Sequence, residues 1–351
     1  MRLLVTTMLS ICLLLSCKAS NTDDVAVSKT FNNPVYDGQD PWMMKHNGKY
    51  YTCYSTGNAI VVTESRFMTK VENRRIVWST PMNGRNAHNV WAPELHFLDG
   101  KWYIYYAAGA KAGSPFTLQR SGVLECNTPM GDYADRGMLV TGDDSENQAS
   151  NVWAIDVTVL EHGGKRYAVW SGWERQEATD QTAQHTYIAP MVNPWTLGKR
   201  VKLSSAEQSW ELGEAFGLQE GPEVLKSASQ TFIVYSTRGS WTIHYKLGML
   251  HLKSANADPL NPASWEKVGP VFEGTPTVYG VGHCSFTESP DGSERWIIYH
   301  SKKGQEQGWD RDVRMQKFTF DERGFPVFGV PVNAGPLLRP SGEVEFEAAN
   351  N

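Results

Sequence analysis

The chain has 351 residues, with 33 Lys and Arg against 38 Asp and Glu, a formal net charge of −5, 40% apolar residues and 11% aromatics. These values exclude a disordered chain, a collagen-like fibre and a coiled coil. The mild acidic balance also argues against a nucleic-acid binder. The 13 Trp and 14 Tyr are a heavy aromatic load, suited to a packed core or to a sugar-binding surface.

The first element is a targeting segment. Arg2 precedes an apolar run from Leu3 to Leu15 that ends Leu14-Leu15-Ser16-Cys17. The run falls short of the roughly 20 residues that cross a bilayer. The pattern predicts a bacterial lipoprotein signal over residues 1–16, Cys17 as the lipidated N-terminus, and a polar flexible tether over 17–30. The alternative is an ordinary secretory signal in which Cys17 is accidental. On the lipoprotein reading the protein is exported, anchored in the cell envelope and in contact with membrane only through its lipid. Cys53, Cys126 and Cys284 then remain. An odd number cannot pair completely and the spacings match no metal motif. One disulfide stays open for an exported chain, and three buried thiols without chemistry are the preferred expectation.

From residue 42 onward the chain repeats. An aromatic residue, two residues, Tyr or Trp, and a small or polar residue recur as Tyr51–Ser55, Tyr103–Ala107, Tyr167–Ser171, Phe232–Ser236 and Trp296–His300, at spacings of 52, 64, 65 and 64. A turn precedes each copy (Asn47-Gly48, Asp99-Gly100, Gly163-Gly164, Ser227 to Ser229, Asp291-Gly292), and a short apolar strand precedes each turn. Strand, tight turn and strand make a hairpin. Further β-like runs follow, such as Ala59–Val62 and Val313–Phe318. The pattern predicts an all-β chain: a single five-bladed β-propeller with four-stranded blades over 31–345, followed by a short tail over 346–351. A β-sandwich with a second domain is the alternative fold, and it does not explain the even spacing.

The first strand of each repeat begins at an ionisable residue. Asp40, Glu94, Asp156, Glu220 and His283 lie 11, 9, 11, 12 and 13 residues before the aromatic marker. In a propeller the innermost strands line the channel, so these five are expected to face one another at one mouth. Acidic residues also serve as ordinary turn formers at strand starts, but five in near phase favour a ring. Crowded carboxyls push their pKa values apart, which is the division of labour that glycoside hydrolysis needs.

Gln39-Asp40-Pro41-Trp42, Trp91-Ala92-Pro93-Glu94-Leu95, Trp153-Ala154-Ile155-Asp156, Gln219-Glu220-Gly221-Pro222-Glu223 and Gly280-Val281-Gly282-His283 resemble the blade signatures of glycoside hydrolase family 43. The stretches Lys101–Tyr106, Trp170–Trp173 and Arg314–Lys317 are similar to that family as well. The resemblance spans about residues 33 to 340. It implies an inverting five-bladed propeller enzyme acting mainly on α-L-arabinofuranosides and β-D-xylosides. It also implies Asp40 as general base, Glu220 as general acid, and Asp156 as the third carboxylate that orients the acid and raises its pKa. By the same resemblance His283 is expected to hold a channel cation, with calcium as the usual assignment, either directly or through water; hydrogen bonding alone is the alternative. Val281 departs from the family's common Pro. Glu94 is expected to play a supporting part. Arg314, Trp91 and Trp173 are candidate sugar contacts, with Trp241 a weaker one. The retaining fructan hydrolases differ around the first-blade Asp.

The expected function is exo-acting removal of α-L-arabinofuranosyl groups from plant polysaccharide. Trp170-Ser-Gly-Trp173 with Asn193-Pro194-Trp195-Thr196, and Leu247–Leu250 with Asp258–Pro262, look most like the arabinofuranosidase branches. The first alternative is a β-D-xylosidase of the same family. The alternative of another class is a non-catalytic glycan-binding surface lipoprotein, which has no need of three separate carboxyls. The expected partners are arabinose-containing glycans, with no nucleic acid and no organic cofactor.

Overall fold

The computed structural model describes residues 27–110, 116–344 and 347. The signal segment, Cys17 and residues 348–351 lie outside the described residues. Five antiparallel sheets form five blades, the first four running inner strand to outer strand in chain order. Their inner strands are Trp42–His46, His88–Leu98, Ala154–His162, Gln219–Lys226 and Tyr279–Glu288. These five contact one another in cyclic order around the channel, the fifth returning to the first. The aromatic markers fall on the second strands: Lys49–Ser55, Lys101–Gly109, Lys165–Gly172, Thr231–Thr237 and Arg295–Lys302. Three blades have four strands. The third and fifth carry one additional short strand each.

The hairpin turns that divide first from second strands form as expected. Asn47-Gly48, Asp99-Gly100 and Gly163-Gly164 all have positive φ at both central positions. That conformation matches the twist of the flanking strands and suits Asn, Asp and Gly.

The core is not one mass. It is divided into wedges, each filling the gap between two neighbouring blades. Ile60 meets Ile104 between the first and second, and Tyr105 meets Trp170 between the second and third. Ile188 meets Ile233 between the third and fourth, Val234 meets Ile297 between the fourth and fifth, and Met43 meets Ile298 between the fifth and first. Ile104 and Ile233 are fully buried. Truncating either to Ala would cost about 2–5 kcal/mol, because neighbouring sheets collapse only partly into the space.

The ring closes at its ends. The fourth strand of the last blade is Tyr36–Asp37, which comes from the N-terminal side of the first blade and pairs with Arg311–Phe320. Beyond it, Thr30–Asn33 pairs with Gly335–Leu338. The expected tether is therefore fastened before residue 30: Arg339 donates its backbone N–H to the Lys29 carbonyl and its side chain to the Ser28 carbonyl. All three described cysteines are free thiols; Cys53 and Cys284 are buried, but Cys126 is only partly so. Among the described residues no helix is long and apolar enough to cross a membrane.

Candidate active site

The inner strands share one irregularity. In the second to fifth blades two residues of the inner strand stand opposite one aromatic of the second strand, which is a β-bulge. The pairs are Ala92-Pro93 against Tyr106, Asp156-Val157 against Trp170, and Gly221-Pro222 against Tyr235. His283-Cys284 stands against Tyr299, and in the first blade Asp40-Pro41 leads directly into the inner strand, which starts with Trp42 against Cys53. The first residue of every pair is left-handed: Asp40 (φ 49°), Ala92 (38°), Asp156 (57°), Gly221 (52°) and His283 (45°). For a residue with a Cβ this backbone is strained. Four of the five positions accept that strain with a side chain in place, and three of those side chains are ionisable.

This equivalence corrects the expected phase. The ring positions are Asp40, Ala92, Asp156, Gly221 and His283. Glu220 stands one residue before its blade's bulge and Glu94 two residues after. Glu94 is therefore not at the mouth. It lies buried lower in the channel beside the likewise buried Glu223, with its Oε2 3.1 Å from His96 Nε2.

Asp40, Asp156, Glu220 and His283 line one pocket of about 530 Å³, together with Arg311, Trp91, Phe116, Trp153, Trp241 and Trp309. Burial alone would raise the Asp40 carboxyl. Arg311, His283 and His300 outweigh it and hold the group well below the usual carboxylate range. Arg311 Nη1, His283 Nδ1 and His300 Nδ1 each stand 3.3 Å from Asp40 Oδ1. Oδ2 has no hydrogen-bond donor among the described residues. Glu220 behaves in the opposite way. Desolvation, with help from the Asp40 charge, lifts it to about 7 against the pull of Tyr245 and Arg311. Tyr245 Oη donates to Glu220 Oε1 at 2.9 Å, which leaves Oε2 as the oxygen able to carry a transferable proton.

Asp156 is 3% exposed. Burial, then Glu220 and Asp40, push its carboxyl well above the ordinary range. Its Oδ2 accepts the Gly221 backbone N–H at 2.9 Å. Its grip on Glu220 thus runs through the adjacent peptide, and the three carboxyls cannot all ionise together.

Two expected contacts need revision. Arg314 is turned into the fifth blade, where it donates to Ser301 Oγ (2.7 Å), Asp312 Oδ1 (3.2 Å) and the Val332 carbonyl (3.0 Å). Arg311 faces the pocket instead. The two stand three apart on one strand, and alternation sends them to opposite faces. Trp173 lines the same pocket but is fully buried and stacked on Trp153 with centroids 4.8 Å apart, so it backs the wall and offers no open platform. At His283 the nearest carboxylate oxygen, Asp40 Oδ1, is shared with Arg311, and among the described residues no three His, Cys, Asp or Glu side chains converge on a metal position; a cation held by one imidazole and water oxygens, as the resemblance implies, needs no such cluster. Trp91 does line the pocket, as expected.

Sequence inspection missed Arg311, Tyr245, His300 and Trp309. For His300 a signal existed. The last position of the repeat is Ser55, Ala107, Ser171 and Ser236 in four blades, and His only in the fifth.

A five-bladed ring whose channel mouth pairs an ionised carboxylate with a carboxylic acid of raised pKa has the parts of a propeller hydrolase for acid–base cleavage of a glycosidic bond. The model of glycosyl hydrolases family 43 matches residues 31–326, and the chain belongs to that family. An extracellular exo-α-(1→5)-L-arabinofuranosidase of Streptomyces avermitilis is 33% identical over 90% of this chain and 67% of its own length. The α-L-arabinofuranosidase 43 of Humicola insolens is 31% identical over 87% of this chain and 64% of its own, so the chain spans about two thirds of these relatives. Among solved structures, an α-L-arabinofuranosidase from Lactobacillus brevis superimposes with a TM-score of 0.77 at 32% identity, covering 87% of this chain and 98% of that one.

Proposed function

We propose that the protein is an exo-acting α-L-arabinofuranosidase that inverts the anomeric centre, with Asp40 as base, Glu220 as acid and Asp156 as the residue that sets the acid. The observation that carries this is the placement of two carboxyls in one pocket with opposite surroundings, Asp40 against the Arg311 guanidinium and Glu220 against the neutral Tyr245 hydroxyl. Asp40 Oδ2 holds and deprotonates a water. Glu220 Oε2 protonates the departing oxygen. Trp91, Phe116 and Trp309 frame the mouth through which the rest of the glycan leaves. The names of the relatives from Streptomyces, Humicola and Lactobacillus support arabinofuranose as the sugar. The word extracellular in the Streptomyces names supports export. We extend this to a lipid anchor on Cys17, which mass spectrometry of membrane-derived protein tests. An unmodified Cys17 there removes the anchor.

The function is tested by offering 4-nitrophenyl α-L-arabinofuranoside beside the β-D-xyloside and following the first-formed sugar by proton NMR. Arabinose released with inverted configuration is expected. Preference for the xyloside overturns the substrate, retention overturns the role of Asp40, and inactivity on both leaves a glycan-binding protein.

A further inference from the structure

Acid and base are joined behind the pocket by two rings that no expectation assigned. Tyr245 donates to Glu220 Oε1 at 2.9 Å. Its ring lies parallel to the His300 imidazole, with centroids 5.4 Å apart and planes 8° apart. His300 Nδ1 in turn accepts the Asp40 backbone N–H at 3.2 Å. Both rings are completely buried.

The same nitrogen of His300 stands 3.3 Å from Asp40 Oδ1, so one edge of the imidazole meets both the backbone and the carboxyl of Asp40. That backbone is left-handed, with φ 49°, a conformation that persists only where its surroundings hold it.

The neighbouring backbone is shaped around the pair. Gly282 stands opposite His300 in the ladder, and a Cβ there would lie 2.3 Å from Tyr245 Cε1. Only a residue without a side chain lets Tyr245 slide under the inner strand and reach both Glu220 and the imidazole.

We propose that Tyr245 and His300 form one positioning unit, a stacked spacer that sets the placement of the base against that of the acid. Tyr245 fixes Glu220 by its hydroxyl and fixes Asp40 by its ring, through His300. This rests on the roles of Asp40 and Glu220 given above. The unit touches no substrate, so these are positioning residues.

The distinguishing experiment separates hydroxyl from ring. Tyr245→Phe keeps the stack and removes the bond to Glu220. Because that bond favours the charged form of Glu220, its loss moves the alkaline limb of the pH–rate profile upward. Turnover of arabinofuranosides with poor leaving groups should fall about tenfold, and that of the 2,4-dinitrophenyl arabinofuranoside, which needs no acid, should hardly change. Tyr245→Leu removes the ring. It should slow the 2,4-dinitrophenyl substrate at least tenfold as well, because His300 and with it Asp40 lose their support. His300→Phe should lower kcat on both substrates with KM little changed and no shift of the alkaline limb, and His300→Asn, which returns an acceptor close to Nδ1, should recover part of the loss. The unit is disproved if Tyr245→Leu spares the acid-independent substrate, or if His300→Phe moves only KM. Should Tyr245→Leu not fold, the contrast between the two Phe variants still decides, since a purely structural pair would give no selective limb shift. Inactivity of the wild type on every glycoside would instead overturn the function, and it is read in the same assays.

Discussion

At the scale of single residues the site works by giving like groups unlike surroundings. Asp40 is surrounded by Arg311, His283 and His300 on one oxygen, while Glu220 has only neutral hydroxyls for hydrogen-bond partners, those of Tyr245 and Ser240. The alkaline limb of kcat/KM should therefore fall near pH 7, where Glu220 loses its proton. The acidic limb should lie below roughly pH 4, the ordinary carboxylate range. Replacing Arg311 by Met removes the cation that favours both carboxylates. Both limbs should then move to higher pH and turnover should fall by about 10²-fold. A profile that merely lowers in height would detach Arg311 from both groups. Asp40→Asn should cost about 10²–10⁴-fold on every substrate. Glu220→Ala should cost as much only where the leaving group needs a proton, as Brønsted plots against leaving-group pKa will display.

At the scale of elements, the inner-strand bulge is the device that makes a site out of a repeat. It turns one residue per blade toward the mouth and leaves those beyond it to fill the channel. Glu94 and Glu223 occupy that lower level, both buried, with burial the main cause and mutual repulsion the next in raising Glu94 well above the usual range. Burial also raises Glu223. A carboxyl whose folded pKa exceeds its unfolded value stabilises the fold fully below the unfolded value, and that stability is lost as pH climbs through the folded one. Glu223→Gln should thus match the wild type in calorimetry at pH 4. At pH 9 it should melt several degrees higher, roughly 2–4 °C per kcal/mol recovered. Equal pH dependence of the two proteins would remove the pair as a source of alkaline instability.

The bulges also explain what was legible beforehand. The markers Tyr51, Tyr103, Tyr167, Phe232 and Trp296 lie on strands of plain two-residue alternation, and they announced five blades from the sequence. Asp40 and Asp156 stand 11 residues before their markers, as do Ala92 and Gly221. Two of the true ring positions therefore carry no charge, and a search for ionisable residues slid to Glu94 and Glu220. Arg311 was missed for Arg314 because choosing between them requires knowing which face of the strand looks inward. Tyr245 reaches the acid only because Gly282, far along the chain, leaves room for its ring.

At the scale of the whole molecule, wedge-shaped cores make each blade depend on its two neighbours. The junction between first and last blades differs from the rest because it also holds the ends together, through Tyr36–Asp37 and Thr30–Asn33. Asp40 follows the closing strand by three residues, and Arg311, His283 and His300 all belong to the fifth blade. In rising urea, activity should therefore disappear before far-UV circular dichroism changes. Deleting residues 27–33 should widen the gap between the two midpoints. Coincident midpoints in both proteins would show that the junction is no weaker than the others.

That placement has a consequence for how the molecule comes into being. Synthesis delivers Asp40 first and the three side chains that surround its carboxyl last, so a chain interrupted before the fifth blade is finished possesses a carboxylate with nothing to tune it. Hydrolytic power cannot accumulate blade by blade; it arrives in one step, when the final strand meets the first.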